Sequence, residues 1–322
     1  MTAPVFPDRV LVTGAGGPAG RSLLHQLTDR GLAVVALDMA ECATAPGVPF
    51  YRVPAARDPR FVEVLRRIVH VEAVDLVIPT VTEELVVLAE GPVDVGAPMV
   101  LAPYEAVCAA DDKLATARAL HAAGVPVPAT FGGSDLAGDD PGWLTARARL
   151  GTPWLSKPRS GRGGRGVQVH DEPATAADAV RAQRENLLWQ EFAPGEEYAP
   201  NLYLAAEPAD DVVVVLRKTE LKHGRHGNAV GVERVDGCAH ADAGAVALRA
   251  ARAIGLRGPV DVDVRRRADG VPVVLEINAR FGANSAHAPE VLDRLLDEYL
   301  GGGEPAAVGA GAAPAREARR LS

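Results

Sequence analysis

Two rhythms of apolar positions alternate along the first hundred residues. Arg9–Thr13 (RVLVT) is an apolar run of strand length, and a glycine-rich turn, Gly14–Gly20, follows it. Apolar residues then recur at helical spacing through about Arg30, and Ala33–Asp38 reads as a second strand ending in an acid. The pattern continues with a helix over Pro59–His70, a strand over Asp75–Pro79, a helix over Thr82–Ala89 and a short strand over Met99–Ala102. Strands alternating with helices predict an open α/β unit with a parallel sheet, whose crevice lies beyond the carboxyl ends of its strands. Thr80, Glu83 and Glu84 follow a strand and either face that crevice or form an N-cap threonine with acids in a first helical turn.

Beyond residue 110 the rhythm changes. Asp111–Ala123 predicts a helix that Gly124-Val125-Pro126 stops, and 132–142 (GGSDLAGDDPG) is a polar loop. A strand then delivers Lys157 into Pro-Arg-Ser-Gly-Arg-Gly-Gly-Arg-Gly166, and a strand resumes near Val167. Ala174–Arg184 is helical, Leu187–Phe192 is a strand ending at the turn Ala193–Glu197, and Asn201–Ala205 and Val212–Leu216 are further strands. Arg217–His226 is a basic cluster and Ala245–Ile254 an amphipathic helix. Val260–Arg266 and Pro272–Ile277 flank Ala268-Asp269-Gly270, and Asp-Gly between apolar runs signals a hairpin. Val291–Leu300 is a last helix, and 301–322 is low-complexity sequence read as disordered.

Composition narrows the function classes. The chain of 322 residues has a net charge of −8 and 48% hydrophobic residues, which argues against a global basic surface for nucleic acid or membrane. Cys42, Cys108 and Cys238 show neither zinc spacing nor a disulfide framework. With no apolar run of membrane-spanning length and no signal-peptide pattern, the expectation is a cytoplasmic protein.

Three stretches carry chemistry. The Gly14–Gly20 turn with Asp38 allows a dinucleotide reading, pyrophosphate on the helix N-terminus and ribose on the acid. Any tight strand-to-helix turn favours glycine as well. The Lys157 loop has glycines to bring backbone N–H groups around phosphates and cations to neutralise them, but Lys precedes the glycines, so it is not GxxxxGK[ST]. Its alternatives are a solvated hairpin loop or a nucleic-acid tip. In the hairpin, alternation puts Asp261 and Asp263 on one face of the first strand and Glu276 and Asn278 on one face of the second. Pairing would gather Asp263, Glu276 and Asn278 as hard oxygen ligands suited to Mg²⁺, with Arg280 beside them for a phosphoryl group. An ordinary hairpin with a polar, solvated face is the alternative.

Taken in order, these features resemble the ATP-grasp superfamily over about residues 9–300. The features are a helix opening in Asp-Lys, Lys-Pro with a glycine-rich loop, Gln-Glu-Phe-x-x-Gly-x-Glu, and an acidic hairpin ending Glu-Ile-Asn-x-Arg. The flavour is that of the carbamoyl-phosphate-synthetase large chain and related stand-alone carboxylate–amine ligases. The resemblance implies an α/β (α+β) fold: a Rossmann-like pre-ATP-grasp domain at 1–110, then a two-lobed ATP-grasp domain. Its small lobe with the lid loop would span 111–188 and its large lobe with the Mg²⁺ site 189–300. It implies that Lys113 and Lys157 contact ATP phosphates under a lid of Ser160, Gly163, Gly164 and Gly166. Gln190, Glu191 and Ala193 would line the adenine edge and Glu197 would take the ribose. Asp263, Glu276 and Asn278 would hold Mg²⁺, and Arg280, with Lys157, would serve catalysis. Arg217, Lys222, Arg225, Asn284, Ser285 and Glu83 are candidate substrate contacts. Gln190 stands where many relatives carry Glu, and Ala279 replaces a common Pro. The implied activity joins a small-molecule carboxylate to an amine through an acyl phosphate, releasing ADP and phosphate, in an enzyme that often dimerises. Competing expectations are an NAD(P) oxidoreductase using Gly14–Gly20, which lacks a Tyr-x-x-x-Lys dyad, and a catalytically silent nucleotide-binding regulator.

Overall fold

The computed structural model describes residues 8–136, 141–161, 163–227 and 229–300. The tail expected to be disordered, 301–322, lies outside them, as do Arg162 of the glycine-rich loop and part of the 132–142 loop. In chain order the first unit contains β1 (Arg9–Val12), α1 (Pro18–Asp29), β2 (Ala33–Asp38), β3 (Phe50–Arg52), α2 (Phe61–Val71), β4 (Leu76–Ile78) and α3 (Thr82–Ala89). Its sheet is parallel, in the order β3-β2-β1-β4. Both faces of β1 are buried, Leu11 toward one core and Val10 and Val12 toward another, which is why the run is apolar throughout. The strand expected at Met99–Ala102 amounts to a single parallel bridge, Val77 to Met99.

α4 (Tyr104–Asp111) and α5 (Lys113–Ala122) follow. The helix expected from Asp111 starts two residues later, because the Asp112 carboxylate caps it by accepting from Leu114 N at 3.0 Å and Ala115 N at 3.3 Å. A small antiparallel sheet comes next, from β5 (Thr130–Gly132), α6 (Pro141–Leu150), β6 (Trp154–Pro158), β7 (Gln168–His170), α7 (Ala176–Arg184) and β8 (Leu187–Glu191). Its order is β5-β8-β6-β7, so β8 belongs to this lobe as a whole, past the expected boundary at 188. Trp154, Trp189, Leu187, Leu150 and Ala182 form a core of its own.

The large sheet is antiparallel. It takes β9 (Glu197–Tyr198), β10 (Asn201–Leu204), β11 (Val212–Val214), β12 (Leu216–Leu221), β13 (Ala229–Arg234), β14 (Gly258–Arg266) and β15 (Pro272–Asn278). Its order is β11-β10-β14-β9-β12-β13, with β15 on β14. The expected strand 212–216 is therefore split between β11 and β12. α8 (Ala241–Ala253), which starts four residues before its expected N-terminus, and α9 (Pro289–Leu300) cover the sheet. One apolar cluster joins Leu65 and Val77 of the first unit to Val246, Val262 and Ile277 of the large lobe. A second joins Leu23 and Leu27 of α1 to Phe281, Leu292 and Leu295. The N-terminal unit and the large lobe thus share their interior, which also takes in Leu120 of α5 and Val125, while the sheet β5-β8-β6-β7 packs on a core apart.

Candidate active site

The hairpin forms as its sequence pattern requires. Gly270, at φ 82°, makes the turn that a Cβ would strain. Asp261 pairs with Asn278 and Asp263 with Glu276, so the four polar side chains share one face. A bulge follows: Val264 pairs with Val274, leaving Leu275 as the extra residue. Its carbonyl accepts from Lys157 Nζ at 3.3 Å, which joins the small lobe to the hairpin.

Three lysines meet these acids. Lys113 begins α5, where the capping carboxylate of Asp112 also binds Arg159 at the foot of the glycine-rich loop. Its Nζ donates to Gly161 O at 2.7 Å and lies 3.4 Å from Glu276 Oε1. Lys157 is buried, and its pKa falls to about 8: loss of solvent is the main cause, Glu276 opposes it and nearby Lys113 adds to it. Lys218, which sequence reading passed over, lies 2.6 Å from Glu197 Oε1 and 2.7 Å from Asp263 Oδ1. Burial disfavours its charge, but the two carboxylates outweigh that and hold its pKa above the ordinary lysine range. Strand alternation was the available signal. Arg217 and Lys218 are consecutive in β12, and Arg217, the expected substrate contact, points to the other face and pairs with Glu196 and Glu233 at the surface.

Arg280 donates to Asn278 Oδ1 at 3.0 Å and stands 3.6 Å from Asp261 Oδ2. Asp261 is buried and its pKa rises to about 6, chiefly from desolvation, with Asp263 adding and Arg280 opposing. Among the described residues no three His, Cys, Asp or Glu side chains are arranged as a metal-binding group. Asp263, Glu276 and Asn278 nevertheless fit Mg²⁺ by donor chemistry, all being hard oxygens, and ammonium groups already stand beside both carboxylates.

The other expected residues divide by position. Ser160, Gly163, Gly164 and Gly166 lie in the loop after β6, and a Cβ on Gly164 would come within 3.0 Å of Gly227 Cα. The loop therefore touches 222–227, where Arg225 pairs with Asp171 and lies over the Phe192 ring, while Lys222 is exposed. Gln190, Ala193 and Glu197 are buried. Glu191 accepts from Ala129 N at 3.0 Å, and Glu197 also lies 3.4 Å from Arg265. Ser285 is buried against Ser22 of α1 at 2.8 Å, beside half-buried Asn284. Glu83 is in the first turn of α3, whose N-cap is Val81 rather than a threonine; Thr80 bonds Thr13 instead. Asp38 accepts from Gly16 N and Ala40 N, both at 2.9 Å, so Oδ2 holds the glycine-rich turn and Oδ1 the chain that leaves β2.

Residues 110–284 match the ATP-grasp domain family. The chain is 30% identical over 218 residues to a D-alanine–D-alanine ligase of Gloeobacter violaceus, covering 59% of this chain and 69% of that one. It is 31% identical over 205 residues to a probable α-L-glutamate ligase of Stenotrophomonas maltophilia, covering 61% and 67%. Its fold is shared with an L-amino acid ligase of Bacillus licheniformis at TM-score 0.67 and 18% identity, over 92% of this chain and 74% of that one. The matched span is over half of the chain and holds both the Lys157 loop and the acidic hairpin, and the chain belongs to the ATP-grasp family.

Proposed function

We propose that the protein is an ATP-dependent carboxylate–amine ligase acting on small metabolites. A substrate carboxylate oxygen attacks the γ-phosphorus, ADP leaves with the bridging electron pair, and an amine then displaces phosphate from the acyl phosphate to leave an amide. Such chemistry needs positioning and charge neutralisation more than covalent help from the protein. The observation that supports it best is the meeting of Lys113 and Lys157 with Glu276 and the Leu275 carbonyl between the two lobes.

In this reading Lys113 and Lys157 hold phosphates. The glycine-rich loop closes over them, and Arg280 steadies the transferring group. Asp263, Glu276 and Asn278 would hold Mg²⁺, which supplies neutralisation of the β- and γ-phosphate charge when bound. Lys218, fixed between Glu197 and Asp263, keeps the ribose-side and metal-side carboxylates in register. Ser285 sits against Ser22 of α1, which supports an acceptor pocket between the large lobe and the N-terminal unit, with Asn284 beside it. A cytoplasmic location and a dimer belong to the same reading; no helix among the described residues is long and apolar enough to cross a membrane.

Thermal shift tests it first. Mg·ATP at about 100 times its dissociation constant should add roughly 2.7 kcal/mol, a gain that EDTA weakens and NAD(H) and NADP(H) do not reproduce. ADP release should then depend on a carboxylate and an amine together, with amino acids as the first pairs. A shift with nicotinamides alone would sink the ligase reading.

A further inference from the structure

Pairing between β6 and β8 sets Lys157 opposite Leu188 and Leu155 opposite Gln190. Alternation puts these four side chains on one face, while Trp154, Leu187 and Trp189 fill the small-lobe core on the other. On the next strand Thr130 stands opposite Gln190. Gln190 is 2% exposed, and its Nε2 donates to Thr130 Oγ1 at 3.0 Å. Thr130 Oγ1 in turn donates to the Pro128 carbonyl at 2.9 Å. A hydroxyl has one proton and a carbonyl only accepts, so Thr130 can offer Gln190 nothing but a lone pair. That fixes the amide: Nε2 faces Thr130, and Oε1 faces away from it. Gln190 Oε1 is buried and has no hydrogen-bond partner among the described residues. A buried acceptor of this kind calls for a donor.

We propose that Thr130, by locking the Gln190 amide, sets the choice of nucleobase in favour of a purine with a 6-amino group over one with a 6-oxo group. The proposal rests on the nucleotide reading above and deepens it. A 6-amino group donates to Oε1. A 6-oxo group sets a second buried acceptor against it. A free glutamine would serve either base by turning its amide over, and the Pro128–Thr130–Gln190 chain removes that freedom. Thr130 is thus a positioning residue that acts through Gln190.

The test compares binding of Mg·ATP and Mg·ITP by titration calorimetry to the full chain and to T130V, T130S and Q190L. The intact protein should prefer ATP by roughly 10- to 100-fold, the range of one misplaced buried hydrogen-bonding group. In T130V the amide is released and the preference should collapse, chiefly because ITP binds better. T130S keeps the hydroxyl and should keep the preference. Q190L should weaken ATP roughly tenfold and strengthen ITP, because the acceptor that opposes the 6-oxo group is gone. Equal affinity in the intact protein, or full discrimination in T130V, would overturn the inference while leaving the nucleotide site standing. Failure of both nucleotides to bind the intact protein would overturn the inference and the ligase reading together.

Discussion

The Lys218 ammonium lies 2.7 Å from the Asp263 carboxylate, a contact between residues 45 apart in sequence that joins β12 to β14 within the large sheet. With Glu197 on its other side, Lys218 is held between two acids in a place where its own side chain is 5% exposed. Replacing it by methionine leaves two carboxylates facing each other without the shared cation. K218M should lose about 3–5 kcal/mol of stability in urea unfolding. Adding D263N to K218M should recover part of that loss, because it removes one of the stranded charges. If the single variant is as stable as the parent, the contact is not the one described.

Lys157 predicts a proton linkage. With its pKa held to about 8, it is about half charged at pH 8 in the free protein. Bound phosphates favour the ammonium, so nucleotide binding at pH 8 should take up about half a proton. Near pH 6 the lysine is charged in both states and the uptake should vanish. Affinity for Mg·ATP should accordingly fall as pH rises through 8. Calorimetry in buffers of different ionisation enthalpy reads the uptake directly, and K157R, always charged, should show none.

Glu276 faces Asp263 across the hairpin and Lys113 across the lobes. E276A should lower kcat by at least about 100-fold, the scale of losing one preorganised electrostatic group. Circular dichroism should be unchanged, since the side chain is 23% exposed and buttresses no core. Sustained ADP formation in this variant would mean that the oxygen cluster does not hold the metal.

Asp38 separates the two glycine-rich segments functionally. It ties the N-terminal turn to the end of β2 by accepting from Gly16 with one oxygen and from Ala40 with the other. D38A should cost about 1–3 kcal/mol of stability, with no change in Mg·ATP affinity at constant folded fraction. A large loss of ATP affinity would place the N-terminal turn in the nucleotide site.

What the chain order discloses depends on how far its signals reach. The hairpin was legible because an Asp-Gly turn and two-residue alternation determine which side chains share a face, and Asp261, Asp263, Glu276 and Asn278 do share one. Lys157 was legible because a strand and a run of glycines flank it. Lys218 was not, because its two partners are 21 and 45 residues away and its distinction from Arg217 lies only in which face of β12 it occupies. Asp112 was seen as part of a helix, but its carboxylate makes it the cap, and the residues before it form a separate helix, α4. The Thr130–Gln190 contact joins strands whose register no local pattern announces.

The two shared cores have a mechanical consequence. Because α1 and the parallel sheet are packed into the same interior as α8, α9 and the hairpin, the N-terminal unit and the large lobe form one stiff anvil. The sheet β5-β8-β6-β7 keeps its tryptophan core to itself; α5 goes with the anvil through Leu120, and the sheet meets that block at Lys157 and Arg225. It is built as the hammer: a part whose tryptophan packing is complete without the block beneath it, so that a change of angle between the two would leave each core whole.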